Sequence, residues 1–185
     1  MDGGALRIET GLATEIRRYV FPIYTRDIGA LAARITEPLI LIKAPMPESA
    51  VAAQLPPHWH VERTGAMMTV DALPGEGPTL PPGITAMAEW RGAVFFVTMA
   101  AANGSPIGQG RMTMIDGYAL HDRINVDQAH RRRGLGGAIM RLLGLEARRH
   151  GVDRGILVAT DVGRILYETL GWQARAPWTT AQIKR

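Results

Sequence analysis

Seven residues in the middle of the chain, Arg131-Arg132-Arg133-Gly134-Leu135-Gly136-Gly137, combine positive charge with bare backbone. Behind them Ala138, Ile139, Leu142, Leu143, Leu145 and Ala147 recur at helical spacing, so the segment reads as a loop opening a helix near Gly134. The first turn of a helix has N–H groups without intrahelical partners, and the helix dipole adds partial positive charge there. Glycines remove the side chains that would hold an anion away from those groups. The combination suits a diphosphate.

Two common glycine loops do not fit. A phosphate-binding P-loop needs lysine and Ser or Thr after its last glycine, and no lysine follows here. A dinucleotide fingerprint needs a third glycine where Ile139 stands, directly after a first strand. The histidines His58, His60, His121 and His130 lack ligand spacing, and no metal site is expected.

These residues need elements to position them. Residues 13–35 are expected to be helical with a break at Pro22, since Leu12, Ile16, Tyr19 and Val20 share one face and Ile28, Leu31 and Ile35 another. PLILIK (38–43) reads as a buried strand, 47–55 as a short helix with proline in its first turn, and 59–70 as extended. DALPGEGPTLPPG (71–83) has no periodicity and is the best internal boundary. Strands follow over 84–90, 93–101, 107–115 and 118–126. Asp116-Gly117 suits a two-residue hairpin turn, so 93–126 reads as an antiparallel meander. After the helix opened at Gly134 come a strand at 155–160, a short helix over 165–170 and an extended end. That order is α/β with a mixed sheet.

A weak internal echo is present. LILIKA…AAQLPPHW resembles GILVAT…YETLGW, and a helix is expected before each. The first 83 residues are a decayed half-repeat on this reading, although chance similarity explains the echo equally well.

Composition sets the class. The chain has 185 residues, 46% hydrophobic and 21% charged, which fits one globular fold. It has no cysteine, which excludes disulfides, cysteine–zinc sites and a cysteine nucleophile. No signal peptide or membrane span is recognised, and a cytoplasmic protein is expected. The net charge of +4 favours an anionic ligand. No DNA-reading motif or stacking aromatics accompany the arginines, so nucleic acid is not the expected partner.

One pattern does fit the glycine segment. Arg131-x-x-Gly134-x-Gly136 after the strand Arg123-Ile124-Asn125-Val126, with Leu166-Tyr167-Glu168-Thr169-Leu170-Gly171-Trp172 behind the next strand, resembles the GNAT superfamily of acyl-CoA-dependent N-acyltransferases. The resemblance covers about residues 84–180, which would form the acetyl-CoA-binding core. It leaves 1–83 as the side that meets the acceptor.

It implies a mixed, mostly antiparallel sheet with helices on both faces, splayed between the strands near 118–126 and 155–160. It also implies acetyl transfer from acetyl-CoA to a primary amine of a small molecule or peptide. Backbone of Arg132, Arg133, Gly134, Leu135, Gly136 and Gly137 would hold the pyrophosphate, with Arg131 opening the motif. Ile124, Asn125 and Val126 would lend backbone groups to the pantetheine arm, and the Val126 N–H would face the developing oxyanion. Tyr167 would protonate the leaving thiolate. Asp122 would be the base, with Glu89 or a water chain as alternatives. Many members carry asparagine seven residues before the tyrosine, and here Thr160 stands in its place.

Alternation alone puts Asp122 on one face with Leu120, Ile124 and Val126, and His121 on the other. His58, Trp59, His60 and Trp90 are candidates to line an acceptor pocket. Two other classes stay open on the sequence: a non-catalytic acyl-CoA-binding module, and a basic nucleic-acid binder. The resemblance also leaves room for a homodimer.

Overall fold

The computed structural model describes residues 4–183. The fold is mixed α/β, with ten strands, four α-helices and a large, mostly antiparallel sheet among the described residues. The chain divides into two compact units. One runs to Met67 and takes in Val158–Asp161 and the residues from Ala174 on; the other holds Met68–Leu157 and Val162–Gln173.

In the first unit, β1 (Leu6–Leu12) and β2 (Glu15–Val20) form an antiparallel hairpin. A short helix α1 (Ile28–Ala32), β3 (Ile40–Ala44), α2 (Glu48–Ala52) and most of β4 (Trp59–Val70) follow. β2 pairs parallel with β3, and the C-terminal strand β10 (Gln173–Ile183) pairs antiparallel with β3. The core of this unit is Tyr19, Phe21, Ile28, Leu31, Ile40, Ile42, Met46 and Trp59 with their neighbours.

The expected helix over 13–35 is therefore wrong over its first half. Leu12, Ile16, Tyr19 and Val20 do fit a helical face, but the competing period-two reading buries Glu15 and Tyr19 on one side. Parallel pairing of Arg17 to Val20 with Ile40 to Lys43 decides it. Helical periodicity gives way where a strand finds a partner. Pro22 lies in the turn after β2, and only Ile28–Ala32 is helix.

The second unit begins with β5 (Thr85–Arg91), β6 (Val94–Ala100), β7 (Pro106–Ile115) and β8 (Tyr118–Val126), each antiparallel to the next. Asp116 and Gly117 both have positive φ, 49° and 75°, as the two-residue turn requires. A 3₁₀ turn at Gln128–His130 leads into α3 (Leu135–Arg149). β9 (Arg154–Ala159) and α4 (Asp161–Thr169) close the order, α4 starting earlier than its apolar pattern suggested.

α3 packs on the meander through Leu135, Ile139 and Leu143, each essentially inaccessible. Each such side chain contributes about 1.5–3 kcal/mol by burial. The close approach needs Gly110 on β7, where a Cβ would meet Ile139 Cγ2 at 2.5 Å.

The proline-rich stretch after β4 is not a free connector. Leu73 is buried, its N–H donates to Asp153 O at 2.7 Å, and Pro74 sits against Gly144 of α3. No described helix is long and apolar enough to cross a membrane.

Candidate active site

β8 pairs with β9 only at Tyr118↔Arg154, Ala119↔Gly155 and Leu120↔Ile156. Beyond Leu120 the β8 residues, including Asn125 and Val126, stand opposite β7, with Gly108 facing Val126 and Gln109 facing Asn125. The splay expected between these strands is present.

A β-bulge in the same region changes which way the residues point. Gln109 stands opposite Asn125, but Arg111 stands opposite Asp122, so β8 carries one residue more than β7. Arg123, at φ 53°, is in the left-handed region at this point. The extra residue reverses the alternation. Ile124 falls on the face of Gly110, whose Cβ would lie 3.4 Å from Ile124 Cδ1, whereas Asp122 falls on the face of Arg111. The expectation that Asp122 shares a face with Ile124 and Val126 is corrected: strict alternation assumed no bulge, and no glycine in β8 announced one.

The Asp122 carboxylate is half-exposed and accepts from Arg111 Nε at 3.0 Å, with Arg123 Nε 4.0 Å away. Glu89, the alternative, is exposed and ion-paired to Arg91. His121 is buried. Its Nδ1 lies 3.0 Å from Ala119 O and its ring meets Trp172 edge-on at 5.2 Å. Burial without a partner for Nε2 pushes its pKa down to about 4.

The loop 131–134 turns sharply. Arg132 and Gly134 both have positive φ, 61° and 76°. Such alternation curls successive backbone N–H groups toward one side, as in anion-binding nests. Arg131 Nε donates to Val126 O at 3.0 Å and ties the loop to the end of β8. Arg132 and Arg133 are exposed.

The glycines divide their work. Around Gly134 and Gly137 a Cβ would meet nothing within 4 Å, so space lies open beside the first-turn backbone. At Gly136 a Cβ would meet Leu166 of α4 at 2.8 Å, so this glycine serves helix packing. A cleft of about 430 Å³ adjoins the loop, lined by Gly134, Gly137, Ala138 and Arg141 on α3, by Pro78 and Thr79 of the proline-rich stretch, and by Leu170. The contribution of that stretch was not legible from composition, which marked it only as a boundary.

Tyr167 on α4 is buried, its ring 6.2 Å from Trp172. The Trp172 N–H donates to Tyr167 O at 3.0 Å. Burial, and after it the charge of Asp122, pushes the Tyr167 pKa up to about 12. The phenol is therefore protonated at neutral pH. The charge of Asp122 thus reaches Tyr167, although its carboxylate is held by Arg111. Thr160 is exposed just beyond β9.

Of the residues suggested for an aromatic acceptor pocket, Trp59 and His58 are engaged within the first unit. Trp59 is buried and donates to Ala32 O at 3.1 Å, and His58 Nε2 lies 3.1 Å from Ile35 O. Trp90 donates to Glu146 at 2.8 Å, and its ring meets Phe95 at a tilt and His150 edge-on.

The chain thus combines strands that part, open backbone before a long helix and a buried, protonated tyrosine. In comparison with known proteins, residues 91–174 match the model of the acetyltransferase (GNAT) domain. No curated protein matches the sequence. Among solved structures, a GCN5-related N-acetyltransferase from Kribbella flavida superposes with a TM-score of 0.68 at 14% identity, over 99% of this chain and 88% of that one. A GCN5-related N-acetyltransferase from Sphaerobacter thermophilus gives 0.65 at 14% identity, over 96% and 75%. A tandem GNAT protein from the clavulanic acid biosynthesis pathway gives 0.61 at 16% identity, over 90% and 74%. These likenesses are of fold. The GNAT resemblance and the mixed, mostly antiparallel sheet read from the sequence are borne out. Domains of this kind generally take acetyl-CoA or another acyl-CoA as acyl donor and amines as acceptors.

Proposed function

We propose that the protein is an N-acetyltransferase that moves the acetyl group of acetyl-CoA to a primary amine of a small molecule or peptide, in the cytoplasm. The observation that carries this is the open backbone at Gly134 and Gly137 beside the cleft, at the head of a fifteen-residue helix. Amides from Arg132 to Gly137 hold the pyrophosphate, with Arg131 bracing the loop. Ile124, Asn125 and Val126 take the pantetheine arm where β8 leaves β9, and Thr160 supplies a hydroxyl in place of the family asparagine.

The amine nitrogen attacks the thioester carbonyl carbon, the C–S bond breaks, and an amide and free CoA result. The Val126 N–H donates to the oxyanion. Tyr167 gives its proton to the departing sulfur. Asp122 receives the proton of the amine, and its bond to Arg111 must loosen for that step. Residues 1–83, read as a half-repeat without the glycine loop, supply the acceptor side.

Isothermal titration with acetyl-CoA and CoA tests the donor site. Micromolar binding that Gly134→Val abolishes supports it, and no binding by folded protein refutes it. Binding without acetylation of any amine in a broad panel leaves the non-catalytic acyl-CoA module as the reading.

A further inference from the structure

The bulge in β8 brings a carboxylate onto a guanidinium, on the face of the meander turned away from α3. Ile139 and Leu143 of α3 pack over Gly110 of β7. The opposite face carries Gln109 and Arg111 of β7 and, across from them, Asn125 and Asp122 of β8. Gln109, Asp122 and Asn125 are exposed and Arg111 is half-buried, so four polar side chains form one accessible patch. Asp122 stands two residues beyond Leu120, which faces Ile156 of β9, so the patch lies where β8 and β9 part. Bulges commonly re-aim a side chain beside a functional site. Arg111 directs two donors, Nε at 3.0 Å and Nη2, at a single oxygen, Asp122 Oδ2. Arg123 Nε stands 4.0 Å from the same oxygen. Within this trio two guanidinium groups face one carboxylate, and one positive charge is left over.

That charge pattern discriminates between acceptors. A simple ammonium approaching Asp122 meets the excess positive charge, and it must part Asp122 from Arg111 while offering the guanidinium nothing in return. A molecule with a carboxylate beside its amine gives Arg111 a new anionic partner while its nitrogen takes Asp122. A guanidinium fork binds either carboxylate with two donors, so the exchange costs little. Arg111 and Asp122 are in direct contact, so the amine and carboxylate of the acceptor must be close together, as in a 2-amino acid. We propose that the acceptor is a free 2-amino acid whose carboxylate takes Arg111 from Asp122 and whose amine takes Asp122, so that the acceptor itself frees the base. The inference rests on the acetyl-transfer reading and adds to it a substrate class and a specificity-determining residue, Arg111. The charge of Asp122 is felt at Tyr167, which sets this pair within electrostatic reach of the group assigned to the departing sulfur.

The chain has no cysteine, so free CoA can be followed with a thiol reagent without a protein background. The acceptors to compare are 2-amino acids, each beside its neutral amide and its decarboxylated amine. The preferred acid should exceed its amide in kcat/KM by about tenfold or more, the usual effect of a hydrogen bond between charged groups. Arg111→Gln should bring the two within about threefold, chiefly through KM for the acid. Arg111→Lys keeps the charge but not the fork and should retain part of the preference. Arg91→Gln alters a guanidinium on the same face that is paired to Glu89, and should leave the preference as it is. Amides or simple amines used as well as the acids overturn the inference and leave acetyl transfer standing. A preference that survives Arg111→Gln, or one for peptides whose carboxylate is remote from the amine, does the same. No CoA release with any acceptor overturns the acetyl-transfer reading as well.

Discussion

Two runs of this chain follow the same order. β2, α1, β3, α2 and β4 repeat the sequence strand, helix, strand, helix, strand that β8, α3, β9, α4 and β10 also follow. In both runs the first two strands pair in parallel, and a buried tryptophan, Trp59 or Trp172, stands at the head of the last strand. The difference lies at the helix between those parallel strands. α1 has five residues behind Asp27, whereas α3 has fifteen behind Gly134 in the left-handed conformation. α2 carries no tyrosine, and α4 carries Tyr167. A single turn of helix offers little aligned dipole, and a loop with side chains at every position leaves an anion no access to its amides. The shared path is therefore a scaffold, and the glycine loop with its long helix is what would make one run chemical.

The largest effect that would sharpen this contrast is expected at Tyr167. Tyr167→Phe should lower kcat by about 10²–10⁴, the usual worth of a general acid, with little change in KM for acetyl-CoA. Steady-state kinetics with any amine accepted by the parent checks it, and full turnover would remove the tyrosine from its assigned role. Asp122→Asn should also lower kcat, and a rate that no longer rises with pH would mark the missing base.

Next in size is Gly137→Glu. The new carboxylate would enter open space beside the first-turn amides, where a Cβ meets nothing. Acetyl-CoA affinity should fall by about a hundredfold, or about 2.7 kcal/mol. Stability read from the urea midpoint should stay within about 1 kcal/mol of the parent and should not fall, since glutamate is a better helix former than glycine and its Cβ meets nothing there. Asp27→Gly, at the corresponding point of the first run, should leave acetyl-CoA binding unchanged in the same titration. Lost binding in that variant would break the contrast.

A third effect comes from His121. Its folded pKa is pushed below the ordinary 6.5 to about 4 because burial disfavours the charged ring. The neutral ring is fully accommodated above pH 6.5. Between 6.5 and 4 the unfolded chain binds a proton that the folded one refuses, so stability falls as pH falls, by about 3 kcal/mol through this window. His121→Phe, which keeps an aromatic ring against Trp172, should flatten that acid limb when urea midpoints are compared at pH 7 and pH 4.5. An unchanged slope would locate the acid sensitivity in other groups.

The smallest effect concerns the turn at Asp116-Gly117. Gly117→Ala at φ 75° should destabilise the hairpin by about 1 kcal/mol, read by thermal unfolding.

Much of the second unit was written in local chemistry. The Asp-Gly turn, the alternation of the meander and the glycine-opened helix each depend on residues close in sequence, and each was legible. The signature Arg131-x-x-Gly134-x-Gly136 gave the family because its backbone conformation is itself local. Three things were decided only by the folded chain. β2 is a strand because β3 lies beside it, a partner 23 residues further along that helical periodicity cannot register. Asp122 faces Arg111 because a bulge at Arg123 adds one residue to β8, and an arginine in left-handed backbone has no sequence mark. The proline-rich stretch reaches the cleft because Leu73 is buried and Pro74 fits over Gly144. Propensity and motif spacing act over a few residues. Pairing, bulges and burial are settled by partners far along the chain, and those partners set where each side chain points.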